Sequence, residues 1–239
     1  MKLDILVIAA HPDDAELGCG GTIAKHTKSG LKVGILDLTR GELGTRGTIQ
    51  TREQEAKDAS AILGIQVREN LSLADGFFQN DKESQLALVQ KIRLYQPDII
   101  LANAIRDRHP DHGKGANLAA DACFLAGLTK IETKDASGKV QQAWRPKNVY
   151  HYIQSQYIQP DFIIDVSDVW EQKMSAIKAY KTQFFSSDST EPQTFISRPE
   201  FINFLEGRAI ELGNIAGIKY AEGFTTHRYP VVNRLTDLY

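Results

Sequence analysis

Cysteine is scarce. Cys19 and Cys123 are the only two in the chain, and neither sits in a CxxC or other paired arrangement, which excludes a disulfide framework and makes a reducing cytoplasm the expected setting. Long apolar runs are also missing. The opening run at residues 5–10 is preceded by Asp4 and cut off by His11-Pro12-Asp13-Asp14, so it is too short for a signal peptide and has no small-residue cleavage site. No stretch approaches the roughly 18 apolar residues that a bilayer crossing requires. Nor does charge of one sign dominate: 28 basic residues stand against 30 acidic ones, for a net charge of −2. A general attraction to nucleic acid or acidic membranes is thereby excluded, and a small molecule is the expected ligand. With 239 residues, 42% of them hydrophobic, the chain suits one globular domain over residues 1–239.

What is present is an alternation of strands and helices. Residues 5–10, 32–39 and 98–103 are β-rich apolar runs, as a sheet buried on both faces requires. Helical segments are expected at 16–28, 51–63 and 82–95, with Thr51 and Gln54 as a capping box and Gly64 as a C-cap. Further on come an Ala-rich helix at 115–127, a strand at 162–166, and a helix at 167–180 with Val169, Trp170, Met174 and Ile177 along one face. The fold class is therefore α/β, a Rossmann-like, mostly parallel sheet with helices on both faces. The polar stretches 133–142 and 186–193 carry no apolar period and read as surface excursions, one of them a candidate lid.

In doubly wound sheets ligands bind beyond the carboxyl ends of the strands. The first strand runs straight into His11-Pro12-Asp13-Asp14, and the strand at 98–103 leads into Arg106-Asp107-Arg108-His109-Pro110-Asp111-His112. Two His-Pro-Asp segments at one sheet edge serve no obvious folding purpose. Imidazole and carboxylate are both good Zn²⁺ ligands, and a catalytic site uses three protein ligands with one open position. His11, Asp14 and His112 supply such a set. Asp13 cannot comfortably share the metal with Asp14, which leaves it as general base. His109, one turn before His112, is expected to act in its protonated form on the oxyanion or the departing amine. Asp111 is expected to accept a hydrogen bond from His109 and fix its tautomer.

Ala10-His11-Pro12-Asp13-Asp14-Ala15-Glu16 and Arg108-His109-Pro110-Asp111-His112 together resemble the two motifs of the LmbE-like, or PIG-L-like, N-acetylglucosaminyl deacetylases. The likeness takes in Thr51-Arg52-Glu53 and Tyr220-Ala221-Glu222-Gly223-Phe224, and is nearest to the bacillithiol-pathway deacetylases, which act on N-acetylglucosaminyl malate. The resemblance implies zinc held by His11, Asp14 and His112, Asp13 as base, His109 as cationic partner, and removal of acetyl from an amino-sugar conjugate.

A malate group would present two carboxylates. Arg52, opening the second helix, and Arg108, directly before His109, are the expected guanidinium partners. Tyr152, in Tyr150-His151-Tyr152, is a further expected substrate contact. Apolar helix faces together with the resemblance favour a homo-oligomer. Two other classes compete. A nucleotide binder would need glycines in the first strand-to-helix turn, where His, Pro, Asp and Asp stand; Gly18-Cys19-Gly20-Gly21 is not GxGxxG and reads better as close helix packing or approach of substrate. A non-catalytic metal protein would show a closed four-ligand site, and three ligands are all that can be placed.

Overall fold

A computed structural model describes residues 1–184 and 190–238. In chain order the elements are β1 (Ile5–Ala9), α1 (Asp14–Lys28), β2 (Val33–Thr39), α2 (Ile49–Leu63), β3 (Val67–Leu73), α3 (Lys82–Tyr95), β4 (Ile99–Ala102), α4 (Pro110–Ala126), β5 (Asn148–Tyr152), β6 (Phe162–Asp165), α5 (Trp170–Lys178), α6 (Pro199–Ile215) and β7 (Ala221–Thr226). The strands form one sheet in the order β3-β2-β1-β4-β5-β7-β6. All pairings are parallel except the two made by β7, which runs antiparallel to both β5 and β6.

The unbroken apolar character of β1 follows from its central place. Ile5, Val7 and Ala9 join the core beneath α1, α2, α5 and α6, while Leu6 and Ile8 join the one beneath α3 and α4. Each fully buried aliphatic side chain contributes about 1.5–3 kcal/mol, so neither face tolerates a polar residue. The edge strands β3 and β6 are only partly buried, and β3 carries polar side chains accordingly. Among the described residues no helix is long and apolar enough to cross a membrane.

Several boundaries differ from expectation. Helix α2 begins at Ile49, because Thr48 takes an extended conformation and accepts from the Thr51 amide while the Thr51 hydroxyl accepts from the Thr48 amide. The capping box is thus Thr48 with Thr51 rather than Thr51 with Gln54. Helix α4 begins at Pro110, five residues earlier than the Ala-rich pattern indicated, with His109 as its N-cap. The stretch 133–142 is a largely exposed turn joined by a Lys134–Val140 bridge, anchored at the buried Thr133, which accepts from Arg93. Of 186–193, residues 186–189 lie outside the described residues.

The glycines after the first motif serve packing. A Cβ on Gly18 would lie 2.2 Å from the Tyr152 ring, and one on Gly21 would lie 2.7 Å from Val166. Helix α1 is interrupted at Cys19 (φ −143°, ψ 23°). The Gly21 and Thr22 amides just beyond it donate to the carboxylate of Glu222 on β7 at 2.8 and 2.7 Å, and Lys173 pairs with the same carboxylate.

Candidate active site

The order β2-β1-β4-β5 places a topological switch point between β1 and β4, since the chain leaves β1 toward β2 on one side and reaches β4 on the other. The two His-Pro-Asp segments leave the carboxyl ends of these neighbouring strands. Asn103, just past β4, ties them together by accepting the Ala10 amide at 2.8 Å. It also donates to Asp14 Oδ2 at 3.1 Å.

Asp14 is buried and central. Its Oδ2 accepts the His11 amide at 3.0 Å and lies 3.3 Å from His11 Nδ1. Its Oδ1 lies 3.1 Å from His112 Nε2. Each histidine is held from behind by other acids. His112 Nδ1 meets Asp107 at 2.6 Å, and Asp107 is itself fixed by the Gln156 amide. His11 Nε2 meets Asp75 at 3.0 Å and Asp111 at 3.4 Å. Burial opposes charge on both rings, yet the acids prevail. His11 is held well above its ordinary range by Asp111, Asp14 and Asp75, and His112 is pushed up to about 9 by Asp14 and Asp107. Positive charge is therefore stabilised where the two rings meet.

His109 completes a trio of imidazoles. One nitrogen each of His11, His109 and His112 lie within 4.8 Å of one another, so three histidines, as well as the predicted His11, Asp14 and His112, are drawn together. The second partners separate them. His11 and His112 are backed by carboxylates, the arrangement that orients metal-binding histidines. His109 Nδ1 instead accepts the backbone N–H of Asp111 at 3.3 Å, which leaves its proton on Nε2. Burial, and then the fields of His11 and His112, lower its pKa. This environment disfavours the protonated His109 expected from sequence and favours the neutral ring with its N–H on Nε2.

Asp111 also departs from expectation. Its carboxylate does not hold His109; it accepts from the Gly76 amide at 2.7 Å and from Lys114 at 3.1 Å, and it lies under His11. The cause is its place in the first turn of α4, where the backbone faces His109 and the fully buried side chain is directed toward the Asp75–Gly76 turn.

Asp13 is the N-cap of α1 at φ 113°, a conformation that costs a non-glycine residue about 1–3 kcal/mol and is typical of functional sites. Burial pushes its carboxyl up and Arg52 opposes the rise. Arg52 Nη2 donates to Asp13 Oδ2 at 2.8 Å and to the Pro12 carbonyl at 2.9 Å, while Nη1 donates to the Gly41 carbonyl. Arg52 is therefore engaged with the base, because helix α2 begins two residues earlier than expected and carries it into the interior instead of to an open helix end. Arg108 is exposed on the cleft rim, its guanidinium 4.2 Å from the centre of the Phe195 ring.

Tyr152 does not reach the cleft. It is fully buried, with its hydroxyl donating to the Ile8 carbonyl at 3.2 Å, because β5 is an interior strand and both of its faces are covered. The residue that does arrive from this segment is Gln154. Its Oε1 accepts from Asn103 and the Ala104 amide, and its Nε2 donates to Asp14 Oδ1 at 2.9 Å and lies 3.3 Å from His112. Gln154, Asp75 and Asp107 were given no role from the sequence, although Asp107 stands directly before the second motif.

The cleft has a volume of about 320 Å³. Its polar end is formed by His11, Asp13, Asp14, His109 and His112. Its other end is formed by Phe195, Phe201, Phe204, Leu205 and Arg208, from α6 and the segment before it. A Rossmann-like sheet carrying a histidine–aspartate cleft at its switch point defines a class of α/β protein with a polar small-molecule site.

Residues 6–123 match the family model PIG-L, GlcNAc-PI de-N-acetylase. The chain is 30% identical over 229 residues to the diacetylchitobiose deacetylase of Thermococcus kodakarensis, a match covering 92% of this chain and 81% of that protein. It is 28% identical over 200 residues to a Bacillus subtilis protein named "Probable N-acetyl-alpha-D-glucosaminyl L-malate deacetylase 2", covering 77% and 84%. The crystal structure of a conserved protein from Thermus thermophilus superposes with a TM-score of 0.86 at 36% identity, covering 98% of each chain. The chain belongs to the PIG-L family of de-N-acetylases.

Proposed function

We propose that the chain is a zinc-dependent hydrolase that removes the N-acetyl group from an N-acetylglucosamine conjugate. The observation that carries this reading is the meeting of His11, Asp14 and His112 beside the buried carboxylate of Asp13. This set fits a divalent ion. Two imidazoles are backed by carboxylates, Asp14 lies between them, and the surrounding acids hold positive charge at that point. Bound there, a divalent ion would supply Lewis-acid polarisation of the acetamide carbonyl.

The remaining chemistry falls to the chain's own groups. Asp13, ionised, takes a proton from the attacking water. Arg52 keeps that carboxylate aimed and ionised. His109 offers its Nε2–H to the oxygen on which negative charge develops. As the C–N bond breaks, the amine leaves with the proton returned by Asp13, and acetate and the free amine are released.

For the substrate we propose N-acetylglucosaminyl malate, as in bacillithiol biosynthesis. The Bacillus subtilis relative supports it, as does a cleft of about 320 Å³, near the small end of the roughly 300–1,000 Å³ of small-molecule sites. Such a volume suits one sugar with a compact aglycone. The Thermococcus relative favours a second reading, a chitooligosaccharide such as diacetylchitobiose. Metal analysis together with acetate release from both compounds and from free N-acetylglucosamine tests these readings. About one zinc per chain is expected, with release fastest from the malate conjugate, and both metal and activity should vanish in His112→Ala. Full metal occupancy in that variant would overturn the ligand set, and faster release from diacetylchitobiose would select the second reading.

A further inference from the structure

The aromatic end of the cleft contains a cation with no assigned task. Arg208 lies on α6, is partly buried, and lines the cleft. Its Nη1 has no hydrogen-bond partner among the described residues. The acids whose fields reach it are engaged elsewhere: Asp107 with His112 and the Gln156 amide, Glu222 with Lys173 and two amides of α1. Burial lowers its pKa to about 10, still far above neutrality, so the group is a cation with one buried nitrogen that lacks a replacement hydrogen bond among the described residues. Such a group is costly unless something else supplies the missing acceptor.

Its surroundings indicate what that acceptor is attached to. The guanidinium of Arg208 stands 5.1 Å from the Phe204 ring. Phe204 neighbours Phe201 at 6.1 Å and Phe201 neighbours Phe195 at 5.6 Å. Phe195 in turn carries Arg108 on its face. Three rings thus connect a partly buried guanidinium at one side to an exposed one at the rim. Rings of this kind take the apolar face of a sugar or a short carbon chain, and guanidinium groups take the planar oxygens of a carboxylate in bidentate fashion.

We propose that Arg208 is a specificity-determining residue that binds a carboxylate on the aglycone of the substrate, with Arg108 closing over it from the rim. This deepens the deacetylase reading and rests on it for the identity of the sugar. Arg208 takes the anchoring role that sequence had given to Arg52, whose Nη1 and Nη2 are engaged by Gly41, Pro12 and Asp13.

The test compares wild type, Arg208→Gln and Arg208→Lys. With N-acetylglucosaminyl malate and its dimethyl ester as substrates, Arg208→Gln is expected to raise KM for the dicarboxylate about ten- to a hundred-fold, the scale of a hydrogen bond to a charged group. Its kcat should stay near wild type, and the ester should be turned over as before. Arg208→Lys should recover part of the affinity. Thermal melting separates this from a structural role, because removing an unpaired buried charge should leave Tm unchanged or raise it. L-malate alone, titrated by calorimetry, reads the subsite without any turnover: binding by wild type that is lost in Arg208→Gln supports the proposal even if no acetate is released. Equal loss on diacid and ester, a lowered Tm with both substrates impaired, or no malate binding by the wild type would overturn it.

Discussion

At the polar end of the cleft, the charged groups are held by specific side-chain partners, although Arg52 keeps a buried Nε without one among the described residues. Asp14 is contacted by Asn103, Gln154 and two histidines, Asp13 by Arg52, and His112 by Asp107. At the aromatic end Arg208 has a buried nitrogen with no partner among the described residues, and Arg108 rests on a ring at the surface. The first end is built largely on the carboxyl ends of parallel strands in the first half of the chain, the second on α6 and its approach. Chemistry thus sits where the backbone is most constrained, and recognition sits on an added helix. The contrast separates kcat from KM: substitutions at the polar end should slow every substrate alike, and those at the aromatic end should discriminate between substrates.

The largest effect that tests this contrast is Asp13→Asn. Asparagine keeps the shape and still accepts from Arg52, but it cannot take a proton. A loss of roughly 10²–10⁴ in kcat is expected, the same for the malate conjugate and for free N-acetylglucosamine, with metal content retained. A loss confined to one substrate would break the division between the two ends.

Arg52→Gln should give a smaller and more specific change. Asp13 works as an ionised base, so activity rises with pH through its pKa. Burial raises that pKa, to about 7, and Arg52 works in the opposite direction. Without the guanidinium the carboxyl titrates higher, and the rising limb of the kcat/KM profile should shift to higher pH. The loss, about ten- to a hundred-fold near neutrality, should therefore shrink as pH increases and be equal on charged and neutral substrates. An unmoved limb with a loss limited to the dicarboxylate would return Arg52 to the role that sequence first suggested.

The division also explains what sequence made legible. His11, Asp13, Asp14, His109 and His112 stand in two short segments directly after β1 and β4, where the carboxyl-end rule locates a site from the strand pattern alone. Their placement in one cleft needed nothing further. Asp75 and Gln154 follow β3 and β5, whose mixed sequences give no clear strand signal; β3 is a polar edge strand, and β5 is only five residues long. Arg208 is one arginine on a helix whose inner face is known only once β7 and α5 are in place. The difference over Arg52 came from a helix boundary: two residues determine whether a guanidinium faces an open helix end or the interior. That over Asp111 came from treating neighbours in sequence as hydrogen-bond partners, when the first turn of α4 turns its carboxylate toward His11.

The smallest expected effect concerns Tyr152, which sequence placed among the substrate contacts and the structure places in the core. Its ring is fully buried against Gly18, so closely that a Cβ there would come within 2.2 Å, and its hydroxyl donates to the Ile8 carbonyl on β1 at 3.2 Å. Tyr152→Phe preserves the ring and its packing and removes one neutral hydrogen bond. The cost should be about 0.5–1.5 kcal/mol, which for a chain of this size lowers Tm by only a few degrees. Because β1 leads directly into His11, a loosened strand would first be felt at the metal set; yet Ala10 and Thr39 still tie that end through Asn103 and the Ala10 carbonyl. Both kcat and KM should therefore remain within about two-fold of wild type, measured on the malate conjugate and on diacetylchitobiose. A several-fold rise in KM with an unchanged Tm would show that the hydroxyl reaches substrate, and the boundary between core and cleft at the end of β5 would then have to be redrawn.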